Sequence, residues 1–332
     1  MPKSVSPDNK IHYAYIDNTM SNLQYFLYEE SSFPPNHITS YVNETTDDFN
    51  YFFWNDDLTQ KDGEQKTAPS SRAHAKGSLV YDNKSGAFLS HSLPRFPTRT
   101  LNNEILTELP SNAGVYGQTF YCITISKAVA EKIAELLNYI NVSNNASVNI
   151  DRVNSPANEW ITKLIENKFD SSYPKELQTL LKSKGGVSYN FISKNYLNKV
   201  IPYDTTVRNI YMDDFYVRTW VLPTIAPAIC EDYSIFNVLT VKYGDYQYDK
   251  GKEHSKWAIS KNKNEVCFAD LNHTPSQANR GGHIICFENQ RLHTIMLNAV
   301  QKIDECEGGN NIEFTEKSIN LEINKIHLFL YI

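Results

Sequence analysis

Two short segments of this 332-residue chain carry residue types that can act together on a phosphodiester: His74-Ala75-Lys76 and His254-Ser255-Lys256, its two His-x-Lys pairs. In an extended segment residues i and i+2 project from one face, so the imidazole and ammonium of each pair point into whatever cleft that face lines. Two such faces related by an approximate twofold would set two imidazoles and two ammonium groups around one phosphate. One neutral imidazole could attack phosphorus while the other, protonated, delivers a proton to the leaving oxygen. The lysines would neutralise the non-bridging oxygens, and no metal ion is needed. The two rings need opposite protonation states, which mild acidity favours for a group with an ordinary pKa near 6.5.

Nine histidines make two such pairs unremarkable by count, but their surroundings repeat. Each pair leads into a short β-like stretch, a polar turn and a second strand. His91-Ser92 lies 17 positions after His74, and Asn272 lies 18 after His254, each at the end of that second strand. The segment 73–92 therefore matches 253–272 in layout, as a duplicated half would.

The elements that must position these groups can be read from periodicity. Aromatic-rich, β-like stretches fall at 11–16, 23–29 and 51–54, and 59–71 reads as an exposed loop. A hairpin is expected from 78–81 and 87–91 around the turn 82–86, with a strand at 119–125. Val129, Ile133, Leu136, Leu137 and Ile140 recur at helical spacing, which predicts a helix over 126–140. Further helices are expected at 158–169 and 177–181. After Gly185-Gly186 the pattern gives a strand at 187–192, a helix through 213–222, strands at 236–243, 257–260, 266–271 and 283–287, and a helix over 290–303. Strands and helices mix in both halves, which predicts an α/β or α+β fold without solenoid repeats.

Composition sets the outer bounds. The chain is 41% hydrophobic and long enough for about two domain-sized units. No apolar run reaches the roughly 18 residues of a membrane span, and 1–16 has no apolar signal core. The formal charge of −6 is a poor field for a polyanion, but protonation of all nine histidines would carry it to +3. Affinity for nucleic acid should then grow with acidity. No His/Cys/Asp/Glu cluster has metal-ligand spacing, so no metal or other cofactor is expected.

The wording of the chain around the two motifs resembles the deoxyribonuclease II family. The similarity is carried by His74-Ala75-Lys76-Gly77-Ser78-Leu79-Val80-Tyr81-Asp82, by 89–97, and by Tyr116-Gly117-Gln118-Thr119-Phe120-Tyr121-Cys122. In the second half it is carried by Glu253-His254-Ser255-Lys256-Trp257-Ala258-Ile259-Ser260, by 269–272 and by Asn279-Arg280-Gly281-Gly282. The blocks keep the family's order from about residue 11 to 310.

The resemblance implies a phospholipase D-like pseudo-dimer, with halves 1–155 and 156–332 and one central site formed by His74, Lys76, His254 and Lys256. It implies metal-independent cleavage of double-stranded DNA at acid pH through a phosphohistidine, leaving 3′-phosphate and 5′-hydroxyl ends; either histidine could be the nucleophile. His91, Asn272 and Arg280 would support the histidines or the phosphate. Disulfides Cys267–Cys286 and Cys230–Cys306 are implied, with Cys122 left as a buried thiol. A lysosomal or secreted location follows from family habit, although no signal is visible; a homodimer is admitted and a membrane partner is not.

The broader phospholipase D pattern wants an Asp where Tyr81 and Lys261 stand, which disfavours an ordinary phospholipase D. The rival readings are a hydrolase of another phosphodiester and a nucleic-acid-binding pseudo-enzyme. Outside the motifs, His12, His37, His293 and His327 read as structural or exposed, His273 and His283 as surface-loop residues, Arg280 as part of a turn, and Trp257 as core.

Overall fold

A computed structural model describes residues 12–16, 24–27, 50–59, 65–67, 69–96, 98–99, 105–106, 116–142, 151–152, 158–166, 168–220, 224–244, 246–304, 306 and 328–331. Two large sheets dominate the described residues. The first runs, from edge to edge, through 151–152, Asn50–Trp54, Gly77–Tyr81, Gly86–His91, Thr119–Ile125, Leu328–Tyr331, His12–Ile16 and Gln24–Leu27. The second runs through Glu176–Lys182, Ser188–Lys194, Gly282–Glu288, Glu265–Ala269, Trp257–Ser260, Phe215–Arg218, Ile235–Tyr243 and Tyr246–Asp249, with Val300–Ile303 also paired to Ile235–Tyr243. The chain is thus a mixed α/β protein, mostly antiparallel, with few helices.

Each His-x-Lys pair opens the same succession of elements. Gly77–Tyr81 pairs antiparallel with Gly86–His91, which pairs antiparallel with Thr119–Ile125, and the helix Lys127–Ile140 follows. Trp257–Ser260 pairs antiparallel with Glu265–Ala269, which pairs antiparallel with Gly282–Glu288, and the helix Gln290–Ala299 follows. Side-chain caps start both helices: Ser126 Oγ accepts from the Val129 N–H, and Asn289 Oδ1 from the Leu292 N–H.

Alternation along the strands explains how the sheets meet. On the second sheet Trp257, Ile259, Val266, Phe268, Ile285 and Phe287 join a core shared with Phe52, Trp54, Leu79, Phe88 and Tyr121 of the first sheet. Tyr121 stacks on Phe268 at 4.7 Å, and Phe88 meets Phe191 edge-on at 5.8 Å, so aromatic rings close the seam between the two sheets. The intervening residues Ala258, Cys267, Ile284 and Cys286 face a second, smaller cluster with Tyr203, Val207, Phe215 and Val217. Trp257 is fully buried in the shared core, as alternation predicts.

Both expected disulfides are present. Cys267 and Cys286 are paired directly across neighbouring strands with a Cα separation of 4.0 Å, and Cys230–Cys306 closes a 76-residue separation. Cys122 is a buried thiol outside both bonds.

Four element expectations fail. The stretch expected as a loop at 59–71 contains the strand Gln65–Thr67, which pairs antiparallel with Asp57–Thr59. The segment expected as a helix at 177–181 lies in the strand Glu176–Lys182, because its whole length pairs with Ser188–Lys194 across the Gly185-Gly186 turn. The segment expected as a helix over 213–222 contains the strand Phe215–Arg218, held parallel to Ile235–Tyr243 and antiparallel to Trp257–Ser260. The last helix stops at Ala299, and Val300–Ile303 turns into strand by pairing with Ile235–Tyr243. By contrast, the helix Glu159–Ile165 lies within its expected span, capped by Asn158.

Candidate active site

The two His-x-Lys pairs are each held by the opposite half of the chain. The His74 N–H bonds the Gly281 carbonyl at 2.9 Å, and its Nδ1 lies 2.8 Å from the Asp270 carbonyl. The His254 N–H bonds the Gly117 carbonyl at 2.7 Å, while Tyr116 stacks on its ring at 4.4 Å. Trp220 lies tilted against the same ring at 4.6 Å. Gly117 permits the close approach, since a Cβ there would stand 2.7 Å from Glu253 Cγ. Glu253 is itself fixed by a buried ion pair with Arg218 at 2.7 Å, which anchors the residue before His254.

The ammonium of Lys76 bonds Asp56 Oδ1, and Asp56 Oδ2 meets the Arg280 guanidinium at 3.1 Å and lies 3.7 Å from His74 Nε2. Arg280 also donates to the carbonyls of Arg72 at 2.8 Å and Ala73 at 3.1 Å, which fixes the backbone entering His74. Lys256 Nζ donates to the His254 carbonyl at 2.8 Å.

Burial and neighbouring charge set the protonation of the cluster. His74 is pushed well below its ordinary pKa by burial; Lys76, Lys256 and Arg280 add to this and Asp56 opposes it. His254 falls to about 3 through burial and the ammonium groups of Lys256 and Lys76. Lys256 drops to about 7, mainly by burial and then by Lys76, against the pull of Asp56, Asp270 and Glu253. Asp270 rises to about 7 because it is buried, although the His283 N–H and both lysines favour its charge. Burial alone would raise Asp56, but Lys76, His74 and Arg280 outweigh it and hold the carboxylate ionised. Lys76 thus acts on His254 and Lys256 on His74, so the four groups occupy one electrostatic neighbourhood.

The supporting residues sort differently. His91 is buried, stacked on Phe120 at 5.2 Å, and its N–H bonds the Lys76 carbonyl at 3.1 Å. Asn272 is buried with its side-chain oxygen unpartnered. Arg280 is more than a turn residue, since its guanidinium is committed to Asp56 and the 72–73 backbone. The glycines after it allow close packing: a Cβ on Gly281 would lie 2.0 Å from the Ile140 carbonyl oxygen.

His273 and His283 are not surface-loop residues. His273 is buried, with Nδ1 at 2.6 Å from Asn237 Oδ1 and Nε2 at 2.7 Å from Asp204 Oδ1. His283 is buried with Nδ1 at 2.8 Å from Ser193 Oγ. His293 is structural as expected, its Nε2 at 2.6 Å from the Ser260 carbonyl. His37 and His327 lie outside the described residues, as does the side chain of His12.

Asp56, Trp220 and the Gln118 contact to His254 were not foreseen. Asp56 follows the aromatic strand Asn50–Trp54 with no motif around it, and only the fold carries it to Lys76. Among the described residues no group of three or more His, Cys, Asp or Glu could hold a metal ion.

The family model for deoxyribonuclease II matches residues 1–306. The chain belongs to the deoxyribonuclease II family. Among curated proteins it is 29% identical over 233 residues to a deoxyribonuclease-2 of Caenorhabditis elegans, covering 69% of this chain and 60% of that protein. It is 30% identical over 244 residues to plancitoxin-1 of Acanthaster planci, covering 70% of this chain and 65% of that one. A deoxyribonuclease-2-alpha of Rattus norvegicus is 25% identical over 266 residues, with 77% and 73% covered. The chain thus spans less than two thirds of the first two relatives. Within the deoxyribonuclease II match fall both His-x-Lys pairs, Asp56 and Arg280.

Proposed function

We propose that this deoxyribonuclease II family chain is an endonuclease that cleaves double-stranded DNA at acid pH without a metal ion. In this reading the two halves form a phospholipase D-like pseudo-dimer around one site. The carrying observation is the reciprocal seating of the motifs, with His74 on Asp270 and Gly281 and His254 on Gly117. The parallel succession of strands and helix after each motif supports the pseudo-dimer, with halves 1–155 and 156–332.

Hydrogen-bond roles favour His74 as nucleophile. A carbonyl oxygen only accepts, so His74 Nδ1 carries the hydrogen toward Asp270 and leaves the Nε2 lone pair bare. His74 Nε2 would attack phosphorus as the bond to the 5′ oxygen breaks, and His254 Nε2 would protonate that oxygen. Water then attacks the phosphohistidine, giving up its proton to His254 and releasing the 3′-phosphate. Lys76 and Lys256 would hold the non-bridging oxygens, with His91, Asn272 and Arg280 as supports.

The titration of the cluster supports acid operation. With Lys256 and Asp270 each brought to about 7, the formal charge on Asp56, Lys76, Lys256, Asp270 and Arg280 falls from about +2 well below neutrality to about 0 above it. An entering phosphodiester anion also favours the imidazolium that burial disfavours, so substrate and proton bind together. The two disulfides support a lysosomal or secreted location.

The test is supercoiled plasmid at about pH 5 in excess chelator. Nicking that survives chelation, is lost in His74→Ala and in His254→Ala, and leaves 3′-phosphate ends is expected. Intact plasmid with turnover of phosphatidylcholine, or plasmid bound without cleavage, would overturn it.

A further inference from the structure

Resting on that reading, we propose that Gln118, held by Ser92, is the positioning residue for His254: its side-chain amide serves Nδ1 in both protonation states, so that Nε2 always faces the leaving oxygen.

In the neutral state the hydroxyl of Ser92 orients the amide. Ser92 Oγ accepts from the Thr119 N–H at 2.9 Å and lies 2.7 Å from Gln118 Oε1. A hydroxyl has one hydrogen, and here it goes to Oε1, an acceptor. The amide nitrogen is thereby turned toward His254 Nδ1, at a long 3.5 Å. Gln118 is 6% exposed and Ser92 7%, so bulk water does not substitute for either. With Nδ1 accepting, the neutral ring keeps its hydrogen on Nε2, and that nitrogen is buried without a hydrogen-bond partner. Tyr116 and Trp220 fix the plane of the ring.

Catalysis needs the ring's second proton, which sits on Nδ1 and requires an acceptor. An amide offers one by turning over, so that Oε1 takes the Nδ1–H; Ser92 Oγ, able to accept as well as donate, then receives Nε2–H of the amide. The charged groups acting on the ring, Lys256 and Lys76, both oppose the second proton, so a neutral acceptor at Nδ1 bears on whether it is held. When the P–O5′ bond breaks, the 5′ oxygen takes the Nε2 proton. The ring is left neutral with Nδ1–H on Gln118, and its bare Nε2 is ready to take a proton from water in the second step.

The test compares DNA with thymidine 3′-(p-nitrophenyl phosphate), whose nitrophenolate leaves without a proton. Gln118→Met should lower kcat on DNA about 10²-fold with KM little changed, while the nitrophenolate burst of the ester, which reports the first step alone, slows no more than about threefold. Gln118→Glu should move the pH profile of kcat on DNA upward, because a carboxylate at Nδ1 favours imidazolium. Equal losses on both substrates with an unmoved pH profile, or no loss on DNA, would overturn the proposal.

Nitrogen NMR of the His254 ring gives a readout that does not depend on activity. At neutral pH the wild type should show Nε2 protonated and Nδ1 bare, and Gln118→Glu should raise the ring's titration. A wild-type proton on Nδ1, or a titration that Gln118→Glu leaves in place, would sink the positioning role even if the protein cleaves DNA. A wild type that cleaves neither substrate would sink the nuclease reading and leave the NMR result to judge Gln118.

Discussion

At the residue scale the site is organised by a carboxylate that no motif announced. Asp56 is buried between Lys76, Arg280 and His74, and it neutralises part of a cationic cluster that would otherwise repel itself. Removing one partner of a buried ion pair leaves the others desolvated and uncompensated. Asp56→Asn is therefore expected to cost about 3–5 kcal/mol of unfolding free energy, read from urea transitions, and to reduce plasmid nicking. A variant as stable as wild type would mean that Lys76 and Arg280 need no counter-ion. The His-x-Lys pairs were legible because i and i+2 share a face in any extended segment. Asp56, 20 positions from Lys76 and 224 from Arg280, had no such local rule to expose it.

At the element scale, close backbone approach decides where the strands can sit. The His74 N–H depends on the Gly281 carbonyl, and Gly281 leaves no room for a side chain beside the end of the helix Lys127–Ile140. That helix end is tied to the approach of His74 by Asn141, which donates to the Ser71 carbonyl at 2.8 Å and accepts from Arg72 at 2.6 Å. Gly281→Ala should thus destabilise by about 1–3 kcal/mol or more and depress nicking. Gly251→Ala, where a Cβ meets nothing within 4 Å, should leave both unchanged. Thermal melts and the plasmid assay check this; equal behaviour of the two variants would refute it. The hairpins were legible because turn and alternation are local signals. Leu177, Leu180 and Leu181 have helical spacing, yet they lie in an edge strand with Leu180 68% exposed. A partner strand beyond a glycine turn outweighs helical periodicity in so short a segment.

At the scale of the whole molecule, the proposed acid operation meets the acid sensitivity of a core containing neutral imidazoles. Burial lowers His91 to about 3, with Lys76 adding to the shift, and burial lowers His283 to about 3. As pH falls below 6.5 the unfolded chain takes up protons that these native rings refuse until about 3, so each removes stability across that window. Asp270 works in the opposite sense: its pKa of about 7 means the native state holds a proton from about 7 down to 3.8 that the unfolded chain lacks, which adds stability on acidification. With His74 and His254, which burial lowers in the same way, four rings against one carboxyl predict a net loss on moving from pH 7 to pH 4. In the chain-entropy account, the disulfides, with separations of 19 and 76, offset this by about 3 and about 4.5 kcal/mol. His283→Asn should flatten the fall in unfolding free energy between pH 7 and 4, while Cys230→Ser/Cys306→Ser should lower stability at both pH values without changing its slope. An unaltered slope in His283→Asn would contradict the burial argument.

Local signals made the two His-x-Lys motifs, the mixed α/β class and most of the strands that present them legible, because face-sharing, turns and alternation act within a few residues. The fold was needed to bring Asp56 and Arg280 onto Lys76 and the approach to His74, and to bury His273 and His283. It alone decided that segment 116–118 of one half cradles the histidine of the other. Those relations join residues tens to hundreds of positions apart, where burial and unpaired hydrogen-bonding groups, not local spacing, select the partners.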